Sequence, residues 1–238
     1  MQAAILILGS LLWDNCQREA WRRTRLRPDR KLHVRTPVFY GRRSQSRGRT
    51  FTMTLEPNGA PGMAVLVPSV AAIATPAALA SEAEALWAAE RSSTVTSGIG
   101  ADWGCVGVLF APTVPADWRA WWDAYFRSHA SPVPPVNEAG ALRITWPITT
   151  DKTSPVDVDL ILATATRAEK VRPGPIEVAD AWLGQHAGHE RYFFENVRHG
   201  IRTPFDGAIW KQIEARKPAW LRNETYANAI EILRSESA

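Results

Sequence analysis

The chain has 238 residues, of which 45% are hydrophobic and 22% charged, a balance that excludes disordered, collagen-like and fibrous classes and fits one core spanning 1–238. Its net charge of +4 is local: from Arg18 to Arg49, twelve arginines and lysines face only Glu19 and Asp29, a +10 block that leaves −6 elsewhere. The longest apolar run, Ala3 to Trp13, is broken by Gly9 and Ser10 and falls short of the ~20 residues that cross a bilayer, so no membrane association is expected.

In chain order, A-A-I-L-I-L has the length of a buried strand and ends at a glycine. Arg18 to Arg25 suits one or two helical turns before Pro28. T-P-V-F-Y, T-F-T-M-T-L and G-M-A-V-L-V read as three strands, the last two joined by the turn-rich E-P-N-G-A-P-G. Thr75-Pro76 is an N-cap with proline at the first helical position, and the alanine- and glutamate-rich segment behind it predicts a helix to Arg91. C-V-G-V-L-F is another buried strand. Pro115 to His129 predicts an amphipathic helix with Trp118, Trp121, Trp122, Tyr125 and Phe126 on one face, a stripe whose simplest use is packing on the core. A-L-R-I-T-W and V-D-V-D-L-I-L-A-T-A add two strands, the second from Val156. Residues 175–238 then read as helices. Strands first and helices last predict an α+β fold with a mixed, mostly antiparallel sheet or barrel and a helical C-terminal layer.

Three features carry possible chemistry. The Gly9-Ser10-Leu11 step lets the chain turn and leaves successive amides outward, a nest for a carboxylate or phosphate; a plain turn is the alternative. On the helix after Pro76, Leu79, Leu86 and Trp87 mark the inward face, and Glu90 follows at i+4 from Leu86 and i+3 from Trp87. A carboxylate there suits proton transfer, although Glu82 shares the inward spacing and a simple ion pair with an arginine is the alternative. The run S-Q-S-R-G-R places Ser44 and Arg47 beside the Gly48 bend, where arginine can grip a carboxylate.

In this order the three features resemble the γ-glutamylcyclotransferase-like family, particularly its ChaC branch. G-S-L-L-W resembles the family's Y-G-S-L-I-W opening, and S-Q-S-R-G with P-G-M-A-V-L-V resembles its S-x-x-H-R-G and P-G-R-V segments. A-L-W-A-A-E-R resembles the helix that ends in the catalytic glutamate, and N-E-T-Y-A-N-A-I-E-I-L-R the branch's C-terminal Asn-x-x-Tyr helix. The resemblance implies a small mixed barrel with flanking helices, Glu90 as the catalytic base, and a substrate site made by Gly9, Ser10, Leu11, Ser44, Arg47, Asn223 and Tyr226. The implied reaction is intramolecular aminolysis of a small γ-glutamyl compound to 5-oxoproline, with no metal or other cofactor. Two positions depart from the pattern: the family's tyrosine is Leu8 here and its histidine is Ser46. Residues 99–221 match nothing in it.

Three other readings compete. A non-catalytic binder of the same fold would keep the cradle and lose the reaction. Nucleic-acid binding through the 18–49 block lacks any reader motif, so no dedicated nucleic-acid partner is expected. His186, His189, Glu190 and His199 crowd together, but H-x-x-H-E is not a zinc-helix spelling, so no metal site is expected. Two cysteines, Cys16 and Cys105, form no C-x-x-C pair; with no secretory signal evident around the opening apolar run, the expected location is the cytoplasm.

Overall fold

The computed structural model describes residues 1–237 apart from 16, 45–47, 49, 96, 152–153 and 185–188. The opening apolar run forms β1 (Ala3–Ile7), buried at all five positions. It pairs antiparallel with β5 (Gly62–Pro68) on one side and parallel with β9 (Leu160–Thr166) on the other. With neighbours on both edges and side chains covered on both faces, such a strand is apolar throughout instead of alternating.

Around this centre lies a seven-stranded mixed sheet. Its remaining members are β2 (Leu32–Thr36), β6 (Gly100–Ala101), β7 (Gly104–Phe110) and β8 (Ile148–Thr149), and the spatial order is β6-β7-β9-β1-β5-β2-β8. Every pairing except β1/β9 is antiparallel. β3 (Val38–Ser44) and β4 (Thr50–Leu55) form a separate antiparallel ribbon. Pro37, which lacks an amide hydrogen, separates β2 from β3, and the ribbon is tied back where Thr54 Oγ1 donates to Thr166 O at 2.8 Å. The α+β class and the predominance of antiparallel pairing are as expected. A closed barrel is not found: the sheet is open, with the two-residue strands β6 and β8 at its edges, too short to pair around a ring.

Among the described residues, three α-helices precede the C-terminal layer. α1 (Gln17–Arg25) packs on α2 (Pro76–Glu90), and α2 lies on β7 and β9 and against α3 (Ala116–His129). Thr75 Oγ1 accepts from the Ala78 amide at 3.2 Å, confirming the predicted cap. On α3 the aromatic stripe divides: Trp122 and Phe126 are buried, while Trp118, Trp121 and Tyr125 are only partly covered. The layer itself consists of α4 (Pro175–Leu183), α5 (His189–Arg198), α6 (Asp206–Arg216) and α7 (Ala227–Ser237), with α4 on α6 and both α5 and α6 on α7. Trp182 Nε1 donates to Phe51 O at 3.1 Å and Trp13 Nε1 to Asn196 Oδ1 at 2.7 Å, joining this layer to the ribbon and to the end of β1. One hydrophobic cluster runs from Ala3 to Leu233. Among the described residues, no helix is long and apolar enough to cross a membrane.

One strand is unannounced in the sequence and one expected strand is absent, each for a physical reason. Leu32–Thr36 is a strand although only Val34 and Thr36 are buried, too little apolar content to announce itself. Residues 141–146 make only isolated bridges, from Ala141 to Val108 and Leu142 to Val136. They follow a turn in which Asn137 Oδ1 accepts from Ala139 and Ala141 and Gly140 takes φ +72°.

His199, just beyond α5, is surrounded by cations. Its Nε2 lies 3.6 Å from Glu195 Oε2, but burial, followed by Lys31, Arg198, Arg22 and His33, outweighs that carboxylate and lowers the imidazole pKa from 6.5 to about 4. The unfolded chain therefore takes up this proton near 6.5 and the folded protein only near 4, so stability falls as pH drops through that window. Acidification from pH 7 to 4.5 is expected to destabilise the wild type by roughly 1–3 kcal/mol more than His199→Gln in urea unfolding. Parallel pH profiles for the two proteins would refute this.

Candidate functional site

Because β1 and β9 run parallel, their C-terminal ends emerge side by side at one end of the sheet. A cavity of about 1060 Å³ opens there. Its lining includes Gly9, Ser10 and Leu11 from the end of β1, Thr164 and Thr166 from β9, Glu90 from the end of α2, and Arg42 and Ser44 from β3. Three segments distant in sequence that were singled out for chemistry, around Gly9, Ser44 and Glu90, thus share one cavity.

After β1 the chain makes a single helical turn, with Leu12 N donating to Gly9 O at 2.9 Å and Asp14 N to Ser10 O at 2.8 Å. The first amides of such a turn have no partner within it. Those of Gly9, Ser10 and Leu11 donate to no carbonyl among the described residues, leaving a set of donors suited to an anion.

The three α2 carboxylates are sorted by their partners. Glu82 is buried and receives Arg25 Nη1 at 2.7 Å. Glu84 accepts from the Tyr125 hydroxyl at 2.7 Å. Glu90 faces the cavity, its Oε1 3.8 Å from Arg42 Nη1 and its Oε2 3.5 Å from Thr164 Oγ1. At 3.8 Å the Arg42 contact is coulombic and not a hydrogen bond, so the Glu90 carboxylate keeps lone pairs for a ligand. Apolar surroundings do not enclose Glu90: it meets a guanidinium and a hydroxyl.

Arg42 is held by stacking. Its guanidinium lies 4.3 Å from the centre of the Trp103 ring, and Trp103 stacks on the buried Trp87 at 4.7 Å. Burial lowers the Arg42 pKa from the ordinary arginine value while Glu90 raises it. Arg18, also on the cavity wall, donates to Asp14 Oδ2 at 2.8 Å. On this wall Arg18 pairs with Asp14 and Arg42 faces Glu90, and the lining as a whole carries six cations against four anions, an excess that suits a ligand with a carboxylate.

Other expected site residues lie elsewhere. Asn223 Oδ1 accepts from Thr225 N at 3.1 Å, capping the 3₁₀ turn Glu224–Tyr226, and the Tyr226 ring stacks on Phe194 at 5.2 Å. Neither lines the cavity; both hold the C-terminal layer together. Arg47 lies outside the described residues, as does His186 of the proposed histidine cluster. Among the described residues, no three His, Cys, Asp or Glu side chains converge as metal ligands. Burial pushes the Cys105 thiol up to about 11, which leaves it a poor nucleophile.

The sequence reading missed Arg18, Arg42 and Tyr192. Tyr192 comes from α5, in the region that the resemblance does not cover, and its Oη would lie 3.0 Å from a Cβ placed on Gly9. Comparison of the chain with family models, with curated proteins and with solved structures returned no match.

The Tyr192 hydroxyl accepts from the buried Met53 amide at 3.0 Å. Tyr192→Phe strands that donor, and a loss of roughly 1–3 kcal/mol in denaturant unfolding is expected. An unchanged midpoint would show that the amide finds another acceptor.

Proposed function

We propose that the protein is a γ-glutamylcyclotransferase-like enzyme that converts a γ-glutamyl peptide or amine to 5-oxoproline. The observation that carries the reading is the meeting of Glu90 with the Gly9–Leu11 amides in one cavity, an arrangement that the resemblance requires and that sequence distance alone does not produce.

The substrate head is an α-amino acid, an ammonium and a carboxylate one carbon apart. The free amides of the Gly9–Leu11 turn take the carboxylate, and Glu90 takes the ammonium. An α-amine with a pKa of ~8 is mostly protonated at neutral pH, so Glu90 accepts its proton before attack. The freed amine adds to the substrate's own γ-carbonyl, forming the ring C–N bond. Arg42, near Glu90, faces the negative charge that develops on the carbonyl oxygen. As collapse breaks the γ-amide bond the ring nitrogen sheds its second proton, and both protons, the first relayed by Glu90, leave on the departing amine as its ammonium. No water is consumed, and the products together have the atoms of the substrate. Holding amine and carbonyl in contact removes the entropic barrier that a flexible γ-glutamyl chain presents in solution.

The departure at Leu8 leaves an apolar side chain where the family has a phenol, so the substrate is held chiefly by backbone and by Arg42 instead of by that hydroxyl. The reading covers the α+β fold without a closed barrel, and it places the enzyme with soluble substrates.

Incubation with γ-glutamyl dipeptides, glutathione and γ-glutamylamines is expected to release 5-oxoproline, detected by chromatography. Glu90→Gln should lower turnover by about 10²-fold or more, whereas Glu84→Gln, which keeps an acceptor for the Tyr125 hydroxyl, should retain it. Absence of product from the whole panel with a folded wild type would shift the function to ligand binding alone.

A further inference from the structure

α1 projects three arginines, Arg18, Arg22 and Arg25, at i, i+4 and i+7, on one helical face. All three are turned toward neighbouring elements. Arg22 donates to Leu11 O at 2.6 Å and to Asp14 O at 2.7 Å, gripping the turn that follows β1. Arg25 pairs with Glu82 at 2.7 Å, fixing α1 along α2. Between them Arg18 reaches both partners at once. Its Nη1 donates to Ser10 Oγ at 3.0 Å and to Asp14 Oδ2 at 2.8 Å, its Nε to Ala89 O at 3.2 Å, and its Nη2 to Glu90 O at 3.0 Å.

We propose that Arg18 is a positioning residue that sets the separation between the Gly9–Leu11 cradle and Glu90; its bearing on turnover rests on the γ-glutamyl reading above. Two facts support it. The last carbonyls of a helix lack intrahelical donors, and Arg18 supplies donors to two of them at the end of α2, at the residue that carries the cavity carboxylate. The same planar group holds the hydroxyl of the cradle residue Ser10, so one rigid fork spans both halves of the site. Arg18 is well covered, with a side chain 13% exposed, and four of its five N–H donors are engaged within the protein. It therefore acts through Ser10 and Glu90.

A lysine cannot replace this geometry: one ammonium offers its donors from a single point, whereas the Arg18 acceptors are spread around the edge of a planar group, at all three of its nitrogens. Loss of the fork leaves the turn held by Arg22 and α2 held by Arg25, each to α1 but no longer directly to each other. A misplacement of about 1 Å in such a site costs turnover on the order of 100-fold.

The test uses Arg18→Met and Arg18→Lys beside Arg25→Met, which loosens α1 without touching the fork. Hydrogen exchange followed by mass spectrometry is read at residues 9–14 and 89–92. Both Arg18 variants should lose protection at the two segments together, and Arg25→Met should not. Unchanged protection in Arg18→Met overturns the proposal whether or not the protein is an enzyme. On the substrate that the wild type turns over best, Arg18→Met should lower kcat on the order of 100-fold with KM within about threefold, and added methylguanidinium should restore part of the rate. A raised KM with unchanged kcat would make Arg18 a direct substrate ligand and overturn the positioning role. If the wild type forms no 5-oxoproline, the functional reading fails separately and the exchange result alone decides whether Arg18 spaces the two elements. Should Arg18→Met fail to fold, Arg18→Lys, which retains a charge for Asp14, carries both readouts.

Discussion

The parallel pairing of β1 with β9 is the constraint from which the site follows. In an antiparallel pair one strand arrives where the other leaves, so a turn after one faces the start of its neighbour. Here both strands leave the sheet together, with Leu6 opposite Ala163 as the last registered pair. The chain after β1 must turn at once, and Gly9 and Ser10 begin that turn beside Thr164 and Thr166. Complete burial of Ala3–Ile7 holds the pairing, since any polar residue in that stretch would need a partner where the ladder already engages the backbone.

α2 completes the arrangement because it lies over β7 and β9 and ends where those strands open on the cavity. A helix end brings both a liability and a use: its last carbonyls lack donors, and its last side chain stands clear of the following turn. Arg18 answers the first, and Glu90 exploits the second. The C-terminal layer closes the opposite wall, and its attachments are directional as well as apolar. Trp13 to Asn196, Trp182 to Phe51 and Tyr192 to Met53 each pair a polar group buried in the core, so the helices are fixed in register against the ribbon and do not merely rest on it.

Local signals in the sequence were enough for most elements. The apolar length of β1, the Thr75-Pro76 start of α2 and the aromatic spacing of α3 each arise within a few residues, and all three elements are present. Glycine at position 9 and glutamate at position 90 were likewise legible, one as a turn and the other as an inward position. Side-chain partners were not legible. Periodicity treats Glu82 and Glu90 alike, and only the position of Arg25 on another helix makes one a structural pair and leaves the other for the cavity. Asn223 and Tyr226 match a local motif well, yet the path of the chain before them carries that motif to the far side of α5. Arg42 and Tyr192 gave no local hint, since Arg42 acquires its role from Trp103 and Tyr192 from Gly9 and Met53.

The basic block shows most clearly how a count of charges departs from a surface. A local +10 suggests a patch that attracts polyanions, but Arg18, Arg22, Arg25 and Arg42 are bound to groups inside the protein. Several of those acceptors are carbonyl oxygens, which carry no formal charge to cancel the guanidinium in the tally. Arginine tolerates this because its five donors can be satisfied by neutral acceptors while the charge remains delocalised. Burial already lowers the pKa of Arg22 and Arg42, the expected sign for cations withdrawn from water. Asp14, Glu82 and Glu90 offset three of these charges, and the donors of Arg18 and Arg22 act at short range, on the turn and the helix end that frame the cavity.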